Sequence, residues 1–258
     1  MKLKMKLMAA ALALAASAGA HAAIDNGAGG NGELFFNIWD ASNSYTRSLE
    51  ISIDSFQSQL AAAGNLNLSW AADATYTSFL AGVTNQAALK WNIAATDTSG
   101  NRRTLTTYSL PEDTTPLKDD VARSMALAMQ GKINNMNTGL GTNDSAVFAA
   151  GTAGYAGDNA SFGTQYSGKL GFDSTGSLAR NSYANGLGFM RVDSLSSGIN
   201  PSKLNEYYDN GTAVNAWLDQ NGSLNIAAAI PEPSEYALML AGLGMLGFMA
   251  RRRLNNRA

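Results

Sequence analysis

The chain has no cysteine, one histidine and few charged residues among its 258 positions, and each scarcity excludes a class of chemistry. Without cysteine there is no disulfide framework, no zinc–thiolate cluster and no cysteine nucleophile. The one histidine, His21, lies in an N-terminal segment that we expect to be removed. A mature protein without histidine has no Ser–His–Asp triad and no imidazole metal centre. The formal charge of −2 argues against nucleic acid as a partner, because binding phosphates requires a basic face.

The N-terminus has the pattern of a secretory signal peptide over residues 1–22. Lysines at the start precede an uncharged run of Leu, Met and Ala over residues 7–19. Ala20 and Ala22 then supply the small-x-small pattern that signal peptidase accepts, which predicts cleavage after Ala22. The apolar run is too short to span a bilayer comfortably. We therefore predict an exported protein with signal peptidase as its first partner.

The C-terminus, residues 231–258, combines three unlike elements in a fixed order. A Pro-Glu-Pro-Ser sequence precedes an apolar run over residues 236–250, and an arginine cluster follows. A helix over that run rises only about 22 Å, short of the ~30 Å hydrocarbon core, although snorkelling arginines and local thinning reduce the mismatch. The arginines should stay cytoplasmic. The pattern predicts a single C-terminal membrane helix, with these motif residues: Pro231, Glu232, Pro233, Ser234, Arg251, Arg252 and Arg253.

This tail resembles the PEP-CTERM sorting signal over about residues 231–253. The resemblance implies that exosortase, a membrane processing enzyme, recognises the tail while it is transiently in the inner membrane. It also implies delivery to the cell surface or secretion, in bacteria that make extracellular polysaccharide. The segments 35–40 and 44–47 resemble the start of uncharacterised PEP-CTERM proteins, for which no activity is known.

The tail also contains a G-x-G-x-x-G pattern, formed by Gly242, Gly244 and Gly247. Dinucleotide binding requires a preceding strand, a following helix and an acidic residue about 20 positions on. Here the chain ends in arginines shortly after the glycines, which lie inside the apolar run. We therefore predict no cofactor, and we attribute the glycines to close helix packing or to recognition by a membrane partner.

Between these termini lies a body of 208 residues, 23–230, whose 11 basic and 18 acidic residues give a net charge of −7. Its pattern is mostly strand-like. Residues 33–40 are rich in β-formers, and residues 45–54 alternate with period two. Residues 54–63 predict a short helix. Two hairpins are indicated, 88–96 with 103–110 and 213–220 with 223–228, the second around an Asn-Gly pair.

One long helix interrupts this β pattern. We predict that Thr115 caps it, that Pro116 lies in its first turn, and that it ends near Gly139. A methionine stripe at helical spacing indicates core rather than a soft metal site. The Gly- and Asn-rich residues 139–188 are either loop-rich ordered structure or a disordered spacer, and their scattered aromatic residues favour order. The sequence predicts a mainly β, sandwich-like body, with an α+β fold as the alternative.

Without histidine and cysteine, the remaining candidates for a functional site are carboxylates and metal ions bound by oxygen ligands. The adjacent acids Glu112–Asp113 and Asp119–Asp120 do not define a glycosidase pair, because that pair spans a cleft. Acidic turns at 158–159, 173–176 and 219–222 offer calcium ligands, but turn chemistry explains their composition. The sequence therefore predicts no metal site. The tryptophans at 39, 70, 91 and 217 could stack on sugars or fill a core.

We expect a non-enzymatic surface or extracellular-matrix protein, with extracellular polysaccharide as a possible partner. The alternative is a carbohydrate-binding or carboxylate-based glycan-active protein. An exposed row of tryptophans, or two carboxylates facing across a groove, would favour the alternative.

Overall fold

The computed structural model describes residues 23–63, 66–100, 102–108, 118–157, 186–194, 198–206, 208–209, 212–219 and 221–228. The chain divides into two units, Met1–Ala228 and Ala229–Ala258, and all the described residues belong to the first. The predicted signal peptide with Ala20 and Ala22, the sorting residues of the tail and the apolar segment 236–250 therefore lie outside the described residues.

The body consists mainly of β-strands, which confirms the predicted class. Its described helices are α1 (Ile53–Ala63), α2 (Ala74–Gly82) and α3 (Asp119–Leu140), with a 3₁₀ turn at Gln86–Ala88. Its strands are β1 (Glu33–Trp39), β2 (Asn43–Ser52), β3 (Asn67–Trp70), β4 (Lys90–Thr96), β5 (Arg103–Tyr108), β6 (Ser145–Ala149), β7 (Leu187–Asp193), β8 (Lys203–Glu206), β9 (Tyr208–Asp209), β10 (Thr212–Leu218) and β11 (Leu224–Ala228).

The described strands form one antiparallel sheet, which corrects the predicted two-sheet sandwich. Nine strands follow the order β3-β11-β10-β7-β5-β4-β1-β2-β6 and curl into a half-barrel, while β8 pairs with β7 and β9 pairs with β10. All seven residues of β1 are buried, so this central strand is covered on both faces. Helices supply much of that cover, which is why alternation along the strands did not distinguish this sheet from a sandwich.

One face of the sheet, which we call the inner face, packs against α1 and α2. Leu34, Phe36 and Ile38 of β1 point to this face and join Phe56 of α1 and Phe79 of α2 in one apolar cluster. Helix α1 forms because Ile53, Phe56 and Leu60 recur at helical spacing and meet the sheet, as the sequence predicted. Helix α2 was not predicted. Its start is fixed by Asp73, whose carboxylate accepts the backbone N–H of Tyr76 at 2.7 Å.

The outer face packs against α3. Its methionine stripe is core, as predicted: Met125, Met129 and Met136 are fully buried with Phe35 and Trp39 of β1 in a second apolar cluster. The predicted helix start is corrected, because α3 begins at Asp119 after Lys118. Thr115 and Pro116 lie outside the described residues. The helix ends at Leu140, one residue past the predicted end, and Gly141 continues the chain with φ of +61°.

Both predicted hairpins form, as β4–β5 and β10–β11. The second turn differs from the two-residue type that Asn-Gly predicts. Gly222 takes a positive φ of 80°, and the loop lies between the paired residues Leu218 and Leu224. Within it, the Asp219 carboxylate accepts the N–H groups of Asn221 and Ser223 at 2.8 and 2.9 Å. Of the segment 139–188, residues 139–157 and 186–188 are ordered, including the edge strand β6, and residues 158–185 lie outside the described residues.

Candidate functional site

Aromatic side chains line a small cavity at the inner face of the sheet. Phe36, Tyr45, Trp70 and Tyr76 contribute rings to it, and Arg47 stands beside them. The rings of Tyr45 and Tyr76 lie 4.9 Å apart by their centroids, and Phe36 meets both at about 6 Å in edge-on geometry. Rings this close contact one another rather than leaving a slot between them. The rings around this small cavity therefore pack against one another at the centre of the inner core. Trp70 is the half-buried ring among them.

A hydrogen-bonded carboxylate closes one side of this aromatic group. Asp73 accepts the Tyr45 hydroxyl at 2.6 Å as well as the N–H of Tyr76. Burial opposes ionisation of Asp73, but these bonds, with Ser145 and the charge of Arg47, outweigh it and hold its pKa below the usual value. Burial and the same bond raise the pKa of Tyr45. The pair joins β2 to the start of α2.

The most extensive polar cluster centres on Arg103, on the same face of β5 as Leu105. Its guanidinium donates to Asp97 at 2.6 Å and to Asp54 at 2.5 Å. It also donates to Gln57 of α1 at 3.0 Å and to the Gly30 carbonyl at 3.3 Å. One side chain thus joins β5, the β4–β5 loop, α1 and the N-terminal segment.

These two carboxylates hold a cation in place and do not face each other across a groove. Asp97 is fully buried, and that burial raises its pKa, although its bonds to Arg103 act in the opposite direction. Burial alone would lower the pKa of Arg103, but its bonds to Asp54 and Asp97 raise it. The arrangement is an ion-pair cluster around a buried guanidinium: Asp97 is buried and the Asp54 side chain is 58% exposed, and both acids pair with Arg103.

Glu33 is a second buried carboxylate, at a β-bulge between β1 and β2. The pairing shifts from Glu33↔Ser52 to Phe35↔Ser48, and Glu50 takes a positive φ of 54° inside the bulge. The carboxylate accepts the hydroxyl of Ser48 and the N–H of Glu50, the latter at 2.8 Å. Burial raises the pKa of Glu33 above its ordinary value in spite of these bonds. Its role is to accept hydrogen bonds from donors at the bulge.

The four tryptophans fall into two pairs. Trp39 and Trp91 are buried, one in the outer core and one in the inner core. Trp70 and Trp217 are half-buried. Trp70 faces the inner core and donates its indole N–H to the carbonyl of Leu49 at 3.2 Å. Trp217 lies on the opposite face of the sheet, because Ala216 and Leu218 on either side of it belong to the inner core.

The other candidate residues that the structure describes do not come together in one site. Asp119 and Asp120 lie in the first turn of α3, and Asp119 is buried while Asp120 is exposed. Asp219 organises its own turn. Glu112–Asp113, and the acidic turns at 158–159 and 173–176, lie outside the described residues. Within the described ranges, no group of three acidic or histidine side chains could hold a metal ion.

Three functional-looking residues were missed by sequence reasoning. Arg103 and Glu33 carry no motif, although each is the one charged residue of its strand. Lys132 lies on α3 within the methionine stripe, is 1% exposed and donates to the carbonyls of Ala153 and Tyr155 at 2.7 and 2.6 Å. The sequence feature that could have revealed Lys132 is a charged residue at a core position of the helical pattern.

No helix in the described part of the chain is both long and apolar enough to cross a membrane. The predicted membrane segment 236–250 is not among those residues.

Comparison with known proteins identifies the C-terminus and leaves the body without a relative. Residues 229–253 match the PEP-CTERM protein-sorting motif, which covers all the predicted sorting residues. The motif defines a class of exported proteins that are anchored transiently in a membrane before processing by exosortase. The chain therefore carries a PEP-CTERM sorting motif at its C-terminus. No curated protein and no solved structure matches it, so the resemblance of segments 35–40 and 44–47 to other members stays a prediction.

Proposed function

We propose that the protein is a non-enzymatic component of the cell surface or the extracellular polysaccharide matrix, delivered through its sorting tail. The observation that carries the proposal is the match of residues 229–253 to the sorting motif, immediately after the last strand of the body ends at Ala228. The body is a folded domain with two apolar clusters, and its acidic net charge suits solubility outside the cell.

The tail has three parts with separate tasks in this proposal. Pro231, Glu232 and Pro233 form the segment that the processing enzyme reads. The apolar run 236–250 holds the chain in the inner membrane, and the arginines at 251–253 keep its end on the cytoplasmic side. Cleavage between the body and the arginines then releases the body to the surface.

Intact-mass measurement tests this directly. We expect protein recovered outside the cell to begin at Ala23 and to lack Arg251, Arg252 and Arg253. The Glu232→Ala variant should stay in the membrane fraction at the mass of the full tail. Glu206→Ala is the matched control, because Glu206 lies in β8 of the body, and its processing should be unchanged. Recovery of released protein that keeps the complete arginine-rich tail would overturn the proposal.

Four hydrogen-bonded carboxylates support a non-enzymatic body. Asp97 and Asp54 are engaged by Arg103, Glu33 by its bulge, and Asp73 by Tyr45 and the start of α2. A carboxylate that works as a general acid or nucleophile needs access to substrate, which the fully buried Asp97 does not have. Incubating the released protein with neutral and anionic polysaccharides should release no new reducing ends; a hydrolysis rate lost in a carboxylate variant would favour the glycan-active alternative.

A binding role toward polysaccharide is the second candidate. The favouring observation is Trp217, a half-buried indole on the sheet face opposite the inner core.

A further inference from the structure

Three strands at one end of the sheet carry a surface that differs from the rest of the outer face. On β10, β11 and β3 the residues that point inward are apolar, and the alternate residues point outward. One outward residue of β11, Ala227, is buried. We call the other outward residues the open face; they are Asn67, Ser69, Asn215, Trp217, Ser223 and Asn225. All six are uncharged, and each is exposed or half-buried.

The open face lies beyond the apolar cluster that α3 covers. That cluster takes its described sheet residues from β1, β4, β5, β6 and β7, and none from β3, β10 or β11. Among the described strands, this end of the sheet finishes at β3, an edge strand that pairs with β11. The open face is thus a mostly polar surface at a sheet edge, carrying one large aromatic side chain.

The register of the strands arranges this surface in rows. Trp217 pairs with Asn225, and Asn225 pairs with Ser69, so an indole, an amide and a hydroxyl stand side by side across three strands. Neighbouring strands are about 4.8 Å apart, so the row extends over roughly 10 Å. A ligand that contacts both ends must be extended. The Asn225 amide is oriented by its bond to the Ser223 carbonyl at 3.1 Å.

We propose that the open face binds a neutral polysaccharide chain, with Trp217 stacking on a sugar ring and Asn225 and Ser69 hydrogen-bonding to hydroxyls of the next ring. Indole rings offer a flat apolar surface of the kind that the C–H face of a pyranose requires, and amides and hydroxyls match sugar hydroxyls in both donor and acceptor capacity. The inference rests on the proposed delivery of the body to the matrix.

The net charge of the body favours binding of neutral polysaccharides over anionic ones. The body has a net charge of −7, and the open face has no cation with which to compensate a polyanion. An anionic polysaccharide would be repelled, whereas a neutral chain would pay no electrostatic cost. Membrane and protein occupants fit less well, because the face has a single large apolar side chain rather than a contiguous apolar patch.

Affinity electrophoresis of the mature protein tests the proposal. The protein is run through native gels that contain barley mixed-linkage β-glucan, galactomannan, dextran or alginate. We expect retardation by at least one of the three neutral polymers and none by alginate. Trp217→Ala should weaken that binding at least about tenfold, Trp217→Tyr should retain part of it, and Asn225→Ala should weaken it to a smaller extent.

Ile199→Ala is the matched control, because Ile199 is the most exposed large apolar side chain among the described residues and lies outside the open face. It should bind like the parent. Thermal unfolding of each variant shows that the fold persists, and Trp217→Tyr provides a conservative variant if Trp217→Ala is unstable. Binding to alginate alone, equal binding by parent and Trp217→Tyr and Trp217→Ala, or no retardation by any neutral polymer would overturn the proposal. Tail processing, read by mass in the same preparations, reports on export separately.

Discussion

The two faces of the sheet are both buried along β1, but they are packed by different means. The inner face relies on rings that contact one another: Phe36 meets Tyr45, Tyr76 and Trp91 at centroid distances near 6 Å. The outer face relies on the methionines of α3, whose flexible side chains fill irregular space. Shape should therefore matter more on the inner face than on the outer one.

Polar side chains of the strands also make different kinds of contact on the two faces. On the inner side, charged groups form ion pairs, as Arg103 does with Asp97 and Asp54. On the opposite side, neutral side chains bond across strands: Asn37 donates to Asn92 at 3.0 Å and accepts from Thr46 at 2.7 Å. The difference suggests that the inner side depends on a few charged contacts, each with a large individual effect.

The largest expected effect comes from breaking the Arg103 cluster. Arg103→Ala leaves the Asp97 carboxylate buried without its cation and should lower the free energy of unfolding by about 3–5 kcal/mol. Arg102→Ala is the control, because the Arg102 carbonyl rather than its guanidinium makes the contact to Ser194, and it should cost less than about 1 kcal/mol. Urea unfolding measures both. Equal effects would show that Arg103 is not the central contact of this face.

A smaller effect should separate the two apolar clusters. Phe36→Leu removes three ring contacts and leaves a cavity, so it should cost about 2 kcal/mol or more. Met129→Leu, at an equally buried site of the outer cluster, keeps volume nearly constant and should cost less than about 1.5 kcal/mol. Thermal and urea unfolding of the two variants give the comparison. A larger loss for Met129→Leu would contradict the distinction between ring packing and adaptable packing.

The smallest effects are in the pH dependence of stability, where Asp73 and Glu33 should behave oppositely. The pKa of Asp73 is held below its ordinary 3.8, so its stabilisation is present above that pH and is lost as the pH falls through the folded-state pKa. The pKa of Glu33 is raised above its ordinary 4.5, so its contribution is present below that pH and is lost as the pH rises through the folded-state pKa.

Comparing each variant with the parent between pH 2.5 and 7 measures these contributions. The stability difference between the parent and Asp73→Asn should shrink toward low pH, since Asn still caps a helix. The difference between the parent and Glu33→Gln should shrink toward pH 7. We expect changes of about 1 kcal/mol or less, because Asp73 is partly exposed. The same slope in both variants would contradict the assigned pKa directions.

Local patterns predicted much of the fold. The strand β1 followed from its β-forming residues, although it is buried on both faces. The alternation of β2, the helices α1 and α3 and both hairpins followed from residue spacing and turn residues. The α3 boundary was missed, since Thr115 and Pro116 suggested a start that the chain does not use. Helix α2 was missed because its signal is a single capping aspartate, Asp73, before a short and weakly patterned segment.

Long-range arrangement was not predictable in the same way. Alternation indicates that a strand has a buried face, but it does not say whether a second sheet or a helix covers it, so a sandwich was predicted where one curled sheet forms. The contacts of Arg103 join residues up to 73 positions apart, a separation over which no sequence motif operates. The sorting tail was predictable because its elements are contiguous, and its match to the known motif confirmed it.

The position of β11 determines how the body is attached to its tail. The sorting motif begins at residue 229, directly after β11 ends at Ala228. This strand is held on both edges, by β10 from Val214 to Leu218 and by β3 from Asn67 to Trp70. A strand that is paired on both edges leaves its sheet only when two hydrogen-bonded ladders break together. Among the described strands, the last one before the sorting motif is therefore fixed from two sides.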